Sequence, residues 1–295
     1  MASDAHGARG ADDADARDPE LTISFLRADT PDPACTALAD ELYAKFTAPH
    51  PRRPEVGAYQ DGASILVLPD TFDEYWNGAA GYGTRRKVRK AEKSGYTFAP
   101  IDRDQYLDDI FAINTSMPER QGREMKEAYR ARPEPFGPLP DYGCPRHQIR
   151  TYGVLKDGHL VAYTWLYQVG EMCLFSTILG HGDHLANGVM YLLVAETLKD
   201  VMDVAGTRYA MYNMHQSGTE GLRFFKEQMG FASHWVNWQL GPDDPPFTGT
   251  PPEVVAHLRA AAPRPSPRPA SRWSVGRIVR GVTRRVRRLV GSKGS

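Results

Sequence analysis

Ile149-Arg-Thr-Tyr-Gly-Val-Leu155, then Lys156-Asp-Gly158, then Leu160-Val-Ala-Tyr-Thr-Trp-Leu-Tyr-Gln-Val169 is the stretch that decides the architecture. Two runs rich in β-branched and aromatic residues flank an Asp-Gly pair. That is the strongest short-range signal for a β-hairpin. Gly170-Glu171 turns the chain again into Met172–Leu179, a third strand. Three antiparallel strands in a row form a sheet that needs helices to cover it.

Downstream, Val189–Val204 reads as a helix, with Leu192, Leu193, Ala195 and Leu198 on its apolar face. Arg208–Met214 is a strand, Thr219–Met229 a helix and Phe231–Leu240 a final strand. Upstream, Leu21–Leu26 alternates like a strand, and Thr36–Phe46 follows as a helix. Ala63–Leu68 is a short strand, and Thr71–Trp76 is a helix capped by Asp70. Thr84–Gly95 reads as a helix with a capping Thr and a terminal Gly. A strand, Tyr96–Ile101, then leads to the helix Gln105–Thr115 behind Asp104, and five prolines mark a loop over 131–145. The expected class is α+β: a mixed, mostly antiparallel sheet flanked by helices.

Composition bounds the partners. The chain has 36 basic and 36 acidic side chains, a formal charge of zero. That sum hides a polarity. Residues 264–295 carry nine Arg and Lys293 with no acid, whereas residues 1–20 carry six acids against two Arg. Residues 1–20, without a large apolar residue after Met1, read as a disordered acidic lead. Nine prolines between Pro242 and Pro269 mark 241–270 as a linker, leaving 21–240 as the folded domain and 271–295 as a tail. No apolar run spans a membrane, and the N-terminus lacks the pattern of a secretory signal. Three widely spaced cysteines, Cys35, Cys144 and Cys173, argue against a disulfide framework or a zinc site and for a reducing compartment. No metal is expected.

The order of elements, with Gly221-Leu-Arg-Phe-Phe-Lys-Glu-Gln-Met-Gly-Phe231, resembles the GNAT superfamily of N-acyltransferases. Gly221-Leu-Arg-Phe-Phe-Lys226 is similar to the Gly-Leu-x-x-Phe-Lys stretch in the closing helix of the Fem-type branch. The basic helix followed by Gly and a strand, Arg85–Phe98, also looks Fem-like. The resemblance covers roughly 84–240. It implies transfer of an acyl or aminoacyl group to an amine, from acyl-CoA or aminoacyl-tRNA as co-substrate, with no tightly bound cofactor.

Two departures stand out. The phosphate loop of acetyl-CoA-using members is replaced by Gly180-His-Gly-Asp-His-Leu-Ala-Asn-Gly188, whose Gly180, Gly182, Asn187 and Gly188 would hold a donor phosphate through backbone amides at a helix start. Asp183 opposes that role. Phe224 and Phe225 occupy the helix where many acetyltransferases carry a general-acid tyrosine, which leaves Tyr212 or Tyr191 as substitutes.

Four residues are candidates for the chemistry. His181 and His184 sit in the glycine loop, where a neutral imidazole takes a proton from an amine; the plain alternative is a loop whose side chains cap the next helix. Asn213 and His215 end the next strand, where the resemblance implies that two strands splay apart. There Asn213 would donate to an oxyanion and His215 would act as base, against the alternative of an ordinary solvent-exposed strand end. Arg120 and Arg123, in the polar turn Met117–Arg123, are candidates to clamp a carboxylate or phosphate on the acceptor. Arg85, Arg86, Lys87, Arg89, Lys90 and Lys93 make a basic helix face, read as a solvated surface or as a contact for tRNA or lipid phosphates.

The tail carries an apolar stripe, Val275, Ile278, Val279, Val282, Val286, Leu289 and Val290, opposite Arg277, Arg280, Arg284, Arg287 and Arg288. This pattern fits a helix lying in an anionic membrane surface. Nucleic acid and a packed or dimeric helix are its rivals. The expectation is an acyltransferase with a lipid-linked or other amine acceptor, cytoplasmic and peripheral on the inner face of the cell membrane. The alternative is a catalytically inactive binding module of the same fold, tethered to membrane or nucleic acid.

Overall fold

The Asp-Gly turn forms as its sequence dictates. Asp157 and Gly158 both take positive φ, 52° and 86°, matching the mirror-image turn whose twist suits a two-residue hairpin. The computed structural model describes residues 18–27, 32–120, 123–125, 127–140 and 142–261. Along the chain come β1 (Glu20–Ser24), α1 (Pro33–Thr47), β2 (Asp61–Val67), α2 (Phe72–Asn77), α3 (Ala79–Lys93) and β3 (Tyr96–Pro100). Then follow α4 (Leu107–Thr115), β4 (Glu119–Arg120), β5 (Arg123–Glu124), β6 (His147–Lys156), β7 (His159–Val169) and β8 (Met172–Gly180). The last are α5 (Val189–Met202), β9 (Tyr209–Met214), α6 (Glu220–Gln228), β10 (Ala232–Gln239) and α7 (Pro252–Ala261).

Eight strands form one sheet in the order β1-β10-β2-β9-β8-β7-β6-β3. Only β1 with β10 and β8 with β9 run parallel; the other neighbours are antiparallel. This is the mixed α+β sheet expected from the sequence. Alternate residues of each strand serve opposite faces. Cys173, Phe175, Ala210 and Tyr212 join one apolar cluster with α3 and α5. Met172, Leu174, Tyr209 and Met211 join the other with α1. The α1 cluster centres on Trp238, Phe25 and Phe46, whose rings lie 4.7–5.8 Å apart.

Several boundaries differ from expectation. α3 begins at Ala79 rather than Thr84, because Gly81 lets the helix approach the Trp76 carbonyl too closely for any Cβ. Thr84 is buried, its hydroxyl 3.1 Å from the Gln228 carbonyl, and caps nothing. Thr71, not Asp70, caps α2 by accepting from the Glu74 amide at 3.2 Å. Asp104 also caps no α-helix. Its carboxylate accepts from the Phe136 and Gly137 amides at 3.1 and 2.8 Å and ties down the proline-rich loop, while Asp102 caps the 3₁₀ turn Arg103–Tyr106.

The described residues up to Val255 form one compact unit. The segment 241–270, read as linker, contains the helix α7. The amphipathic tail 271–295 and most of the acidic lead lie outside the described residues.

Candidate active site between two splayed strands

β8 and β9 pair over three residues only, Met172–Leu174 against Tyr209–Met211. Past that point β8 stays with β7 as far as Gly180, and β9 stays with β2 as far as Met214. The sheet therefore opens. A cleft of about 340 Å³ occupies the gap, lined by Ile178 and Gly180 of β8, Tyr212 of β9, Met190 and Tyr191 of α5, and Phe225 of α6. Its walls are mainly apolar. Burial raises the pKa of both Tyr191 and Tyr212, so each phenol stays protonated at neutral pH.

The glycine loop forms a 3₁₀ turn, Gly182–Asn187, that leads into α5 without a side-chain cap on that helix. Gly188 sits at φ 85°, and a Cβ there would lie 2.5 Å from the Lys87 carbonyl. Only glycine allows the loop to lie so close to α3. Lys90 reinforces the contact by donating to the Ala186 carbonyl at 2.8 Å.

Two histidines of this loop lie together, their ring centroids 5.4 Å apart. Asn187 Nδ2 donates to the Tyr96 hydroxyl at 3.0 Å, which orients that hydroxyl to donate to His184 Nδ1 at 2.7 Å. His181 Nδ1 accepts from the Asp183 amide at 3.3 Å. A ring that accepts at Nδ1 in this way keeps an N–H at Nε2. Burial, then the neighbouring His181, pulls the His184 pKa below its ordinary value. Asp183 itself is exposed.

His215 and Asn213 occupy the end of β9, and no hydrogen bond joins them to the loop histidines among the described residues. His215 is 6% exposed, with Nδ1 3.3 Å from Ser64 Oγ and Nε2 3.6 Å from Glu227 Oε1. Burial and then Lys226 lower its pKa. Asn213 adopts φ 54°, and its Oδ1 accepts from the Met214 amide at 2.8 Å.

Arg120 lines the cleft, but its guanidinium is engaged by the protein. It donates to the Gly180 carbonyl at 2.9 Å, the Ile113 carbonyl at 2.6 Å and Ser116 Oγ at 2.9 Å. Its buried Nε has no hydrogen-bond partner, and no described carboxylate lies within 4.0 Å. Among the described residues, two carbonyls and one hydroxyl are all that meet this charge. Arg123 falls in β5, and its side chain lies outside the described residues. A second cavity of about 320 Å³ lies where the proline-rich loop crosses β7 and β8. Tyr129, Phe136, Tyr163, Trp165 and Thr177 line it, along with Asn114, the residue after Ile113.

All six basic residues of α3 line one groove of about 1070 Å³ between α3 and α6, which shares Tyr191 with the cleft. None of the six has a carboxylate partner among the described residues. Arg85 and Lys90 donate to the Trp76 and Ala186 carbonyls, while Arg86, Arg89 and Lys93 are exposed along the groove.

Lys226 and Tyr96 escaped the sequence reading as site residues. Lys226 is fully buried and donates to the Met214 carbonyl at 2.6 Å, Ser217 Oγ at 3.3 Å and the His215 carbonyl at 3.4 Å, which fixes the end of β9. Burial pushes its pKa down to about 8. Its place at the end of Gly221–Lys226 was the available signal.

No family model matches the sequence, and no curated protein matches it. Solved structures do. FemX matches at a TM-score of 0.46 and 13% identity, over 60% of this chain and 62% of that one. The C-terminal domain (DUF2156) ascribed to a lysylphosphatidylglycerol synthetase of Agrobacterium fabrum matches at 0.39 and 12%, over 59% and 58%. A GCN5-related N-acetyltransferase of Kribbella flavida matches at 0.32 and 16%, over 47% of each chain. The chain thus spans less than two thirds of each.

Proposed function

We propose that the protein transfers an acyl or aminoacyl group from acyl-CoA or an aminoacyl-tRNA to an amine. The observation that carries this reading is the open seam between β8 and β9, joined at Tyr191 to the basic groove. An activated acyl group is small and largely apolar, and both donors attach it to a phosphate-rich body. The cleft suits the first and the groove suits the second. His181 and His184 of the glycine loop and the uncapped start of α5 that follows it offer N–H groups that suit the donor's anionic part.

The acceptor amine attacks the carbonyl directly, with no covalent enzyme intermediate. Asn213 donates to the oxyanion, and Tyr191 or Tyr212 protonates the leaving oxygen or sulfur as the tetrahedral species collapses. The amine's proton reaches His215 only if the Ser64 hydrogen bond is exchanged. Loss to water at the open end needs no such rearrangement. In this reading His215 and Lys226 hold β9 in position. Arg120 lines the cleft and is anchored on Ile113, next in sequence to Asn114 of the aromatic cavity, where the acceptor sits; its charge, unpaired with any described carboxylate, favours an acceptor bearing a carboxylate or phosphate.

Amide formation from labelled donor and amine is the direct assay. Tyr191→Phe or Tyr212→Phe is expected to lower kcat by about 100-fold with KM little changed, the usual size of a general-acid contribution. If both variants turn over as the wild type does, the acid lies elsewhere. If the wild type transfers nothing from either donor, the protein is a binding module of this fold, a reading that Asp183 and Phe224-Phe225 favour. The tail would hold either protein at an anionic membrane surface.

A further inference from the structure

Far from the cleft in sequence and element, the structure brings together Cys35 on the first turn of α1, Cys144 in the proline-rich loop and His147 at the start of β6. The two sulfurs and an imidazole nitrogen all lie within 4.8 Å of one another. Wide spacing in the sequence argued against a zinc site, and the fold removes that argument for two of the three cysteines. Cys173 stays apart, fully buried in β8 with its thiol pKa pushed up to about 12 by burial.

We propose that Cys35, Cys144 and His147 bind one zinc ion. The orientation of His147 carries the assignment. The residue is fully buried, and its Nε2–H donates to the Phe25 carbonyl at 2.8 Å. That bond fixes the tautomer and leaves the Nδ1 lone pair facing the Cys144 sulfur at 3.4 Å. A metal-bound imidazole is held in the same manner, its second nitrogen donating to a backbone carbonyl. A thiol pair destined only for a disulfide has no use for an oriented imidazole. Cys35 Sγ lies 3.0 Å from the Tyr142 carbonyl, which holds its sulfur toward the same point.

Two thiolates and one imidazole are a soft-to-borderline donor set that suits zinc and excludes magnesium or calcium. On binding, both thiols lose their protons to solvent, and two Zn–S bonds and one Zn–N bond form. Nothing is oxidised or reduced. Cys144 is the half-buried member of the set, so the ion enters and keeps its fourth position on that side. The ion would pin α1, the proline-rich loop and β6 together from segments more than a hundred residues apart. That loop also walls the proposed acceptor cavity.

The test uses the full chain, reduced and stripped with a chelator, then titrated with zinc or cobalt alone. The expected result is one equivalent bound per chain, a cobalt–thiolate charge-transfer band, and a melting temperature raised by zinc. Cys144→Ser and His147→Gln should each weaken binding by about 100-fold or more, at least the loss of an outer-shell partner. The cobalt spectrum of the wild type needs no variant to fold. No stoichiometric uptake would overturn the proposal. So would binding unchanged in both variants, or a Cys35–Cys144 disulfide in protein that takes up no cobalt once reduced.

Discussion

At the residue scale, buried bases at the end of β9 explain how the seam keeps its shape. Among the described residues Lys226 has no carboxylate partner, and it is held by two carbonyls and a hydroxyl. Its pKa falls from 10.5 to about 8 because burial penalises the ammonium. The unfolded chain therefore binds more protons than the folded one between pH 8 and 10, and stability must rise with pH across that window. Lys226→Met should flatten this rise in chemical-denaturation curves, and an unchanged slope would contradict the assignment. His215 obeys the same sign. Its lowered pKa means that stability falls as pH drops below about 6.5, the ordinary histidine value, as the unfolded chain takes up the proton first. Neither effect was legible in the sequence, where His215 was a candidate base and Lys226 closed the Gly221–Lys226 motif. Burial is a property of the fold, and periodicity does not report which polar residue of a mixed helix turns inward.

At the scale of elements, the hairpin, the α5 stripe and the closing helix were readable because local chemistry and tertiary packing agree there. Asp157-Gly158 fixes its turn by φ alone, and Leu192, Leu193 and Leu198 reach the core at helical spacing. The limits of α3 were not readable. Ala79–Gly83 looks like a loop, yet close packing of Gly81 on α2 and of Gly83 on Gln228 extends the helix by five residues. The added residues Ala79, Ala80, Tyr82 and Gly83 line the same groove as the six basic residues, so a groove borders what reads as a solvated face. Charge reversal at Arg86, Arg89 and Lys90 should therefore weaken donor binding, not merely alter solubility. For a tRNA donor, wild-type affinity should fall with salt at a log–log slope of roughly −4 to −5 if all six residues engage phosphates. A slope near zero, or full affinity in the reversed variant, would take the groove out of the site.

Over the whole molecule, a zero net charge conceals three electrostatic regions: an acidic lead, a basic groove inside the fold and a basic tail. No described helix is long and apolar enough to cross a membrane. The contact we propose for the tail is a peripheral one, with each basic residue contributing on the order of 1 kcal/mol near an anionic surface. Full-length protein should float with anionic vesicles and a 1–262 truncation should not; equal behaviour of the two would remove the membrane from the account. The zinc site shows the limit of sequence spacing at this scale. Cys144 and His147 are three residues apart, but only the packing of α1 on the sheet delivers Cys35 to them.

Everything proposed for the cleft depends on a phosphate-bearing donor entering between α3 and α6. The most direct measurement is the thermal stability of the full chain with acyl-CoA, free coenzyme A, and charged or uncharged tRNA. A ligand that binds only the folded state stabilises it by about 2.7 kcal/mol at a hundred times its dissociation constant. The account predicts a dose-dependent rise in melting temperature with one donor class, lost on charge reversal of Arg86, Arg89 and Lys90. No shift with any donor, or a shift that survives that reversal, would contradict it.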